Sequence, residues 1–322
     1  MNNSNINNKT TTADNIKPYQ IHYMHVIVYN ITFLFVLTTN LMLIYGFYKT
    51  SRPFTIVTKL FICSSGYQIA SALCYMVYSI LVLLAPKGSI THFHFIIFFA
   101  FTYMILISEV LVFWTISYLR KMSIAKPMKL IKARTIYKIL MIELITGFLA
   151  AIGIMIGYHS SNLTNQELFE TNYKLMNGIN SAMMWSSFSL NISSLTILRR
   201  LSNLEAQKNK GDNVSRNQLV IKRNRIALNT LLLITVACFV CSLPSTCLAY
   251  IQFDFLLQYN LETIMVICQC LQISGFGITS LIIISRTKNL REYYKLKFCC
   301  CFSMKRVNNS KNHRSETELT EI

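Results

Sequence analysis

Residues 92–128 read HFHFIIFFAFTYMILISEVLVFWTISYLRKMSIAKPM. From His92 to Leu119 the one charged side chain is Glu109; Arg120 and Lys121 follow at once, and Lys126 and Lys129 shortly after. A helix needs about 20 apolar residues to cross a hydrocarbon core of ~30 Å, and this stretch exceeds that before ending in bases. Stretches of the same form lie at 22–48, 60–84, 140–158, 175–198, 226–252 and 263–285. A buried helix of a soluble protein rarely repeats that length seven times. The expected fold is an all-α membrane protein, a seven-transmembrane helix bundle.

Charge orients it. Of 31 Lys and Arg residues, only Lys9, Lys17, Lys87 and Lys174 fall in the N-terminal tail and the second and fourth gaps. The others lie in the first, third and fifth gaps or beyond the last stretch. Basic residues in short loops mark the cytoplasmic side, which places the N-terminus outside and the C-terminus inside, in a multi-pass protein of the plasma membrane. Asn2, Asn8 and Asn162 head N-x-S/T triplets on the expected outer side and are candidate glycosylation sites, although Asn213 and Asn308 head such triplets inside.

The net charge of +18 points to an anionic membrane leaflet rather than nucleic acid, because the bases flank apolar segments. The first twenty residues have no apolar core, so no cleaved signal peptide is expected and the first span serves as anchor. Seven of the ten cysteines (Cys63, Cys74, Cys238, Cys241, Cys247, Cys268, Cys270) lie in spans and Cys299, Cys300 and Cys301 follow the last one, so no loop disulfide is expected. The segment 287–298 places Leu290, Tyr293, Tyr294 and Phe298 on one face and Lys288, Arg291 and Lys295 on the other, a short amphipathic eighth helix lying in the membrane interface. Cys299–Cys301 directly after it are either palmitoylated or free thiols. The resulting division is a tail over 1–21, the membrane domain over 22–285, the eighth helix over 286–298 and a cytoplasmic tail over 299–322.

Inside the spans, Pro244 is the one proline. It removes a helical hydrogen bond and makes either a tolerated bend or a hinge. Glu109 is costly in hydrocarbon and is either functional or paired. Glu143 lies nearer the inner face and is expected to meet interfacial Lys or Arg, while Glu262 suits the outer helix end. His92 and His94, at the outer end of their span, either sense pH or sit at the interface.

Several stretches resemble rhodopsin-like G-protein-coupled receptors. Arg120 followed by Ile124 and Pro127 is similar to the family's Asp-Arg-Tyr motif with its Ile and Pro; Thr39-Asn40-Leu41 resembles its Gly-Asn pair. The run from Thr50-Ser-Arg-Pro to Thr58-Lys-Leu-Phe-Ile62 resembles its first inner loop, and Cys241-Ser242-Leu243-Pro244 its Cys-Trp-x-Pro. Leu290-Arg291 through Cys299-Cys300 resembles its eighth helix with terminal cysteines. Departures are Leu119 and Lys121 beside Arg120, Ser242 for the tryptophan, Thr279-Ser280-Leu-Ile-Ile283 for Asn-Pro-x-x-Tyr, Asn224 for an acidic partner, and no outer cysteine pair.

The resemblance implies a receptor that carries an extracellular ligand signal to a heterotrimeric G protein. Its inner cleft would use Arg120, Lys121, Ile124, Pro127, Lys222, Arg223 and Arg225, and its switch Pro244, Ser242 and Cys238. It implies a polar core of Asn40, Gln68 and Glu109, with Glu109 either at a sodium site or neutral and hydrogen-bonded. The pocket would draw on Thr102, Tyr103, Thr246 and Gln269. Thr102 stands where amine receptors carry an aspartate and Ile273 where opsins carry a lysine, which excludes monoamine and retinal ligands. Hydroxyls and acids over 315–322 suit an arrestin-like partner, and Thr320-Glu321-Ile322 a PDZ groove. No catalytic constellation, metal cluster or cofactor loop is legible, so no enzyme is expected. The alternatives are a channel-like chemoreceptor or a membrane protein that keeps the fold without coupling.

Overall fold

The computed structural model describes residues 23–51, 55–84, 92–125, 133–159, 165–208, 216–250 and 261–302. All ordered elements among them are helices: α1 (Tyr23–Thr50), α2 (Ile56–Leu84), α3 (His92–Ala125), α4 (Ala133–His159), α5 (Asn165–Lys208), α6 (Arg216–Tyr250), α7 (Leu261–Arg286) and α8 (Lys288–Phe302). Six of them, α1 to α4, α6 and α7, are long and apolar enough to cross a membrane. The chain is an all-α protein with the elements of a multi-pass membrane protein. The tail over 1–21, Asn2, Asn8, Pro127, Asn162 and the motifs over 315–322 lie outside the described residues.

α5 is the longest helix, at 44 residues, and does not join the apolar six. Its reason is local. Asn177, Asn180, Ser187, Asn191 and Ser194 are all buried, and their spacing of three, seven, four and three residues puts them on one helical face. α5 packs with that face among α3 and α6, its two principal neighbours. This polar face is turned into the bundle, where hydropathy cannot distinguish it from exposure.

Helix follows helix around a ring: α1 packs on α2, α2 on α3, α3 on α5, α5 on α6, α6 on α7, and α7 returns to α1. α4 leans on α3 from outside that ring. Accordingly 72% of the apolar stretch of α3 is buried against 18% of that of α4. One apolar cluster holds Leu43, Leu60, Val112, Ile116, Leu231, Ile283 and Leu290, joining α1, α2, α3, α6, α7 and α8.

Hydroxyls are accommodated by bonding back along their own helices. Thr32, Thr39, Thr102, Thr230, Thr235, Thr246 and Ser274 each donate to the carbonyl four residues before. This satisfies a polar group without a partner from another helix. At the start of α2, Thr55 Oγ1 accepts the amide of Thr58 at 3.2 Å, an N-terminal cap. α7 and α8 are parted by Thr287 alone, whose amide bonds to the Ile283 carbonyl and whose carbonyl accepts from the Arg291 amide, both at 2.9 Å. α8 extends past residue 298 and includes Cys299–Cys301, so those cysteines continue the helix rather than follow it.

The α3–α4 contact depends on one glycine. A Cβ on Gly147 would sit 2.7 Å from Ser108 Oγ and 3.0 Å from the Met104 carbonyl oxygen. Gly153, six residues along the same helix, has open space at that position. Gly147→Leu is expected to lower the thermal stability of the purified protein by about 1–3 kcal/mol through overpacking. Gly153→Leu should leave it unchanged, as read by thermal unfolding in detergent.

Candidate functional site

The middle of the bundle carries a set of buried polar groups on helices otherwise made of Leu, Ile, Val and Phe. Asn40, Gln68, Ser108, Glu109, Thr279 and Ser280 are each at most 3% exposed. Gln68 Nε2 on α2 donates to Glu109 Oε1 on α3 at 3.0 Å. Ser280 Oγ on α7 donates to Asn40 Oδ1 on α1 at 2.8 Å, and Asn40 Nδ2 donates to the Val36 carbonyl at 2.9 Å. The three residues of the expected polar core thus form two pairs: Gln68 with Glu109, and Asn40 with Ser280.

Glu109 Oε2 has no partner among the described residues. A carboxyl with one oxygen held by an amide donor and the other bare fits a proton or a small cation at Oε2. A bare buried anion there would carry a large desolvation penalty. Among the described residues no group of three or more His, Cys, Asp or Glu side chains could hold a metal, so any cation would rest on Glu109 and neutral oxygens.

Glu143 departs from expectation. It is buried, and its Oε1 accepts a short hydrogen bond from Thr115 of α3; this neutral hydroxyl, not an interfacial Lys or Arg, is its partner. The helix turns it inward because Gly147, one turn on, brings α4 against α3 at Ser108 and Met104. Its Oε2 also lacks a partner among the described residues.

α6 runs as one helix through Pro244. Around that proline, Ser242 Oγ donates to the Phe239 carbonyl at 3.2 Å and meets Met184 Sδ of α5 at 3.5 Å. One turn inward, Cys238 Sγ lies 3.2 Å from Thr279 Oγ1 of α7. Two of the three expected switch residues, Ser242 and Cys238, therefore join α6 to its neighbours α5 and α7 through weak sulfur contacts.

At the end of α3 that carries Arg120, Ile124 is buried with Leu198 of α5 and Leu228 of α6. Arg120 and Lys121 are half-buried, and Lys222, Arg223 and Arg225 are exposed on the opening turns of α6. No carboxylate pairs with Arg120 among the described residues, and Asn224 stands half-buried nearby in sequence to the α6 bases.

The expected pocket residues each make their own contacts. Thr102 bonds its own helix at the Phe98 carbonyl, and Tyr103 is enclosed with Leu106 and Val110. Thr246 meets Ser181 of α5 at 3.2 Å, while Gln269 accepts a short bond from Tyr29 of α1. An open cleft of about 560 Å³ lies between α5 and α6, lined by Thr171, Lys174, Leu175, Gly178, Ile179 and Tyr250 among others. The side chains of His92 and His94 lie outside the described residues, as do those of Glu262 and Cys299–Cys301.

Thr115 and Ser181 are not singled out by the sequence, nor is Asn191, which bonds Thr235 at 3.3 Å, and Ser280 stands out only as part of a replaced motif and not as the partner of Asn40. Only the α5 set had a readable signal, the spacing of its Asn and Ser residues. The others depend on which helices become neighbours. No protein-family model matches the chain, and no curated protein matches it.

Two substitutions test this core. Glu109→Leu strands Gln68 and is expected to cost about 1–3 kcal/mol in thermal unfolding, whereas Glu109→Gln, which keeps an acceptor, should cost less than about 1 kcal/mol. Thr115→Val should destabilise by a similar 1–3 kcal/mol, and adding Glu143→Leu should recover most of it.

Proposed function

We propose that the chain is a divergent rhodopsin-like G-protein-coupled receptor with seven spans, its N-terminus outside, and α8 lying along the inner interface. Supporting the seventh span is α5: residues 175–198 hold no charge and rise about 36 Å as a helix, enough to cross. Its buried polar residues, Asn177, Asn180, Ser187, Asn191 and Ser194, face inward, while the exposed Thr196 bonds back to its own helix at the Ile192 carbonyl.

The observation that carries the reading is the convergence at the inner end of α3. Arg120 sits there without a carboxylate among the described residues, beside Ile124, which bridges the inner ends of α5 and α6 through Leu198 and Leu228. A bundle that opens at that point exposes a cation and an apolar lining together, rimmed by Lys222, Arg223 and Arg225. Such a surface suits an amphipathic helix of a G protein laid into a groove.

The lever for opening is α6. Pro244 leaves the carbonyl one turn before it without its helical donor, and the contacts of Ser242 and Cys238 to α5 and α7 are weak enough to exchange. Ligand bound among the outer halves of the helices would favour one position of α6; a ligand shifts such an equilibrium only by its differential affinity for the two states. The replaced Asn-Pro-x-x-Tyr residues, Thr279 and Ser280, hold α7 to α6 and α1 in the present state. Glu109, neutral or holding a cation, and its partner Gln68 belong to the α2–α3 contact that stays in place as α6 moves. The extracellular glycosylation, the acylation of Cys299–Cys301 and arrestin-like or PDZ partners at the C-terminal tail belong to this same reading.

Guanine-nucleotide exchange on co-expressed G proteins, screened against pooled ligands, tests it. The expected result is exchange on at least one G-protein class that falls to background with Arg120→Ala. Pro244→Ala, which restores the helical bond, should raise thermal stability and reduce signal amplitude. Surface-expressed protein that drives no exchange with any class across the screen would contradict the proposal, and ligand-gated current in cells without G proteins would favour the channel-like alternative.

A further inference from the structure

α8 is fixed against α1 rather than merely tethered to it. Gly46 makes room: a Cβ there would lie 2.7 Å from Leu290 Cδ2 and 3.1 Å from the Tyr294 ring. Leu290 is fully buried, and the Tyr294 hydroxyl donates to the Met42 carbonyl. Whatever α8 carries one turn further on is therefore held at a set place beside the last turn of α1.

What it carries there is Lys297. Its Nζ lies 5.2 Å from the centre of the Tyr45 ring and 5.5 Å from that of Tyr293. Lys49 of α1 reaches the same Tyr45 ring at 5.8 Å and the Tyr48 ring at 5.9 Å. The Tyr45 and Tyr293 rings are 6.3 Å apart. Two ammonium groups thus converge on one exposed tyrosine, each within the ~6 Å reach of a cation–π contact. Bonding to Tyr293 raises the pKa of Lys297 above its ordinary value.

Like charges held together repel, and the acids of α1 and α8 do not offset them. α1 has no acidic residue, and α8 has one, Glu292. Glu292 is spaced four residues after Lys288 and three before Lys295, which puts it on their face of α8. Lys297 is spaced four residues after Tyr293, on the face toward Tyr45. The arrangement has two cations, tyrosine hydroxyls and an apolar floor at the depth where an amphipathic helix meets lipid headgroups.

We propose that the α1–α8 corner binds the phosphomonoester headgroup of a polyanionic membrane lipid, with Lys49 and Lys297 bridging the phosphate and Tyr45 and Tyr293 flanking it. A phosphomonoester carries nearly two negative charges and accepts several charge-assisted hydrogen bonds. A diester lipid such as phosphatidylserine offers one phosphate charge and fewer acceptors. This site rests on the membrane reading of the fold and not on coupling to a G protein.

The test uses the full chain in phosphatidylcholine nanodiscs containing either phosphatidylinositol 4,5-bisphosphate or charge-matched phosphatidylserine, with bound lipid measured by native mass spectrometry. Lys49→Gln with Lys297→Gln should lose phosphoinositide by about tenfold or more relative to Lys288→Gln with Lys295→Gln, which removes the same charge from elsewhere on α8. Phosphatidylserine retention should fall equally in both. All four lysines are exposed, so thermal midpoints should not move, and Tyr45→Phe with Tyr293→Phe should give an intermediate loss. Equal phosphoinositide loss in the two lysine pairs, or no preference for phosphoinositide over phosphatidylserine in the unaltered protein, would overturn the site.

Discussion

Hydrocarbon offers no hydrogen bonds, so every polar side chain within a membrane helix must be satisfied by its own backbone or by a neighbouring helix. Most of the interior of this bundle follows that constraint, the second oxygens of Glu109 and Glu143 being exceptions among the described residues. Threonines and serines bond back along their helices, while Gln68 with Glu109, Asn40 with Ser280, Thr115 with Glu143, and Asn191 with Thr235 pair across helix contacts. α3 contributes to two of those pairs and is the most enclosed helix. The order of neighbours around it is also the order in which polar groups can be matched.

The same constraint separates stability from the capacity to switch. The Asn40–Ser280 and Gln68–Glu109 bonds lie within packed layers and bind α1 to α7 and α2 to α3. α6 is held differently, by sulfur contacts from Cys238 and to Met184 and by hydroxyls that also bond their own helix. Breaking the sulfur contacts strands no charged or amide group, and the amide bond that reaches α6, from Asn191 to Thr235, is long at 3.3 Å, so α6 shifts at lower cost than helices joined by Gln68–Glu109 or Asn40–Ser280. The proposed receptor function needs a scaffold that stays and one element that shifts, and the chemistry of these contacts divides the helices in that way.

Much of this was legible in the sequence. Charge-free runs ending in bases located seven helices, and the amphipathic pattern after the last run located α8. Glu109 stood out as an acid in an apolar run, and Gln68 as its partner could be inferred from register. What could not be read were partners fixed by helix placement. Glu143 was expected to meet a base because only its own helix was visible; Gly147 brings α4 close enough for Thr115 to take that role. Asn40, Gln68 and Glu109 were expected as one cluster, but Ser280 of α7 competes for Asn40. The pocket residues were expected together, yet Gln269 turns toward Tyr29 and Thr246 toward Ser181, choices decided by neighbours distant in sequence.

α5 is where apolarity and charge sorting diverge. By apolarity six helices qualify as spans, and an even number would leave both termini on one side. On the proposed reading, which takes charge sorting and the buried polar face of α5 as its guide, α5 is the seventh and the termini lie on opposite sides. Antibody access to epitopes at the two ends, in intact and in permeabilised cells, decides between them. The account expects the N-terminal epitope to be labelled on intact cells and the C-terminal epitope only after permeabilisation. Labelling of both ends under the same condition would contradict it.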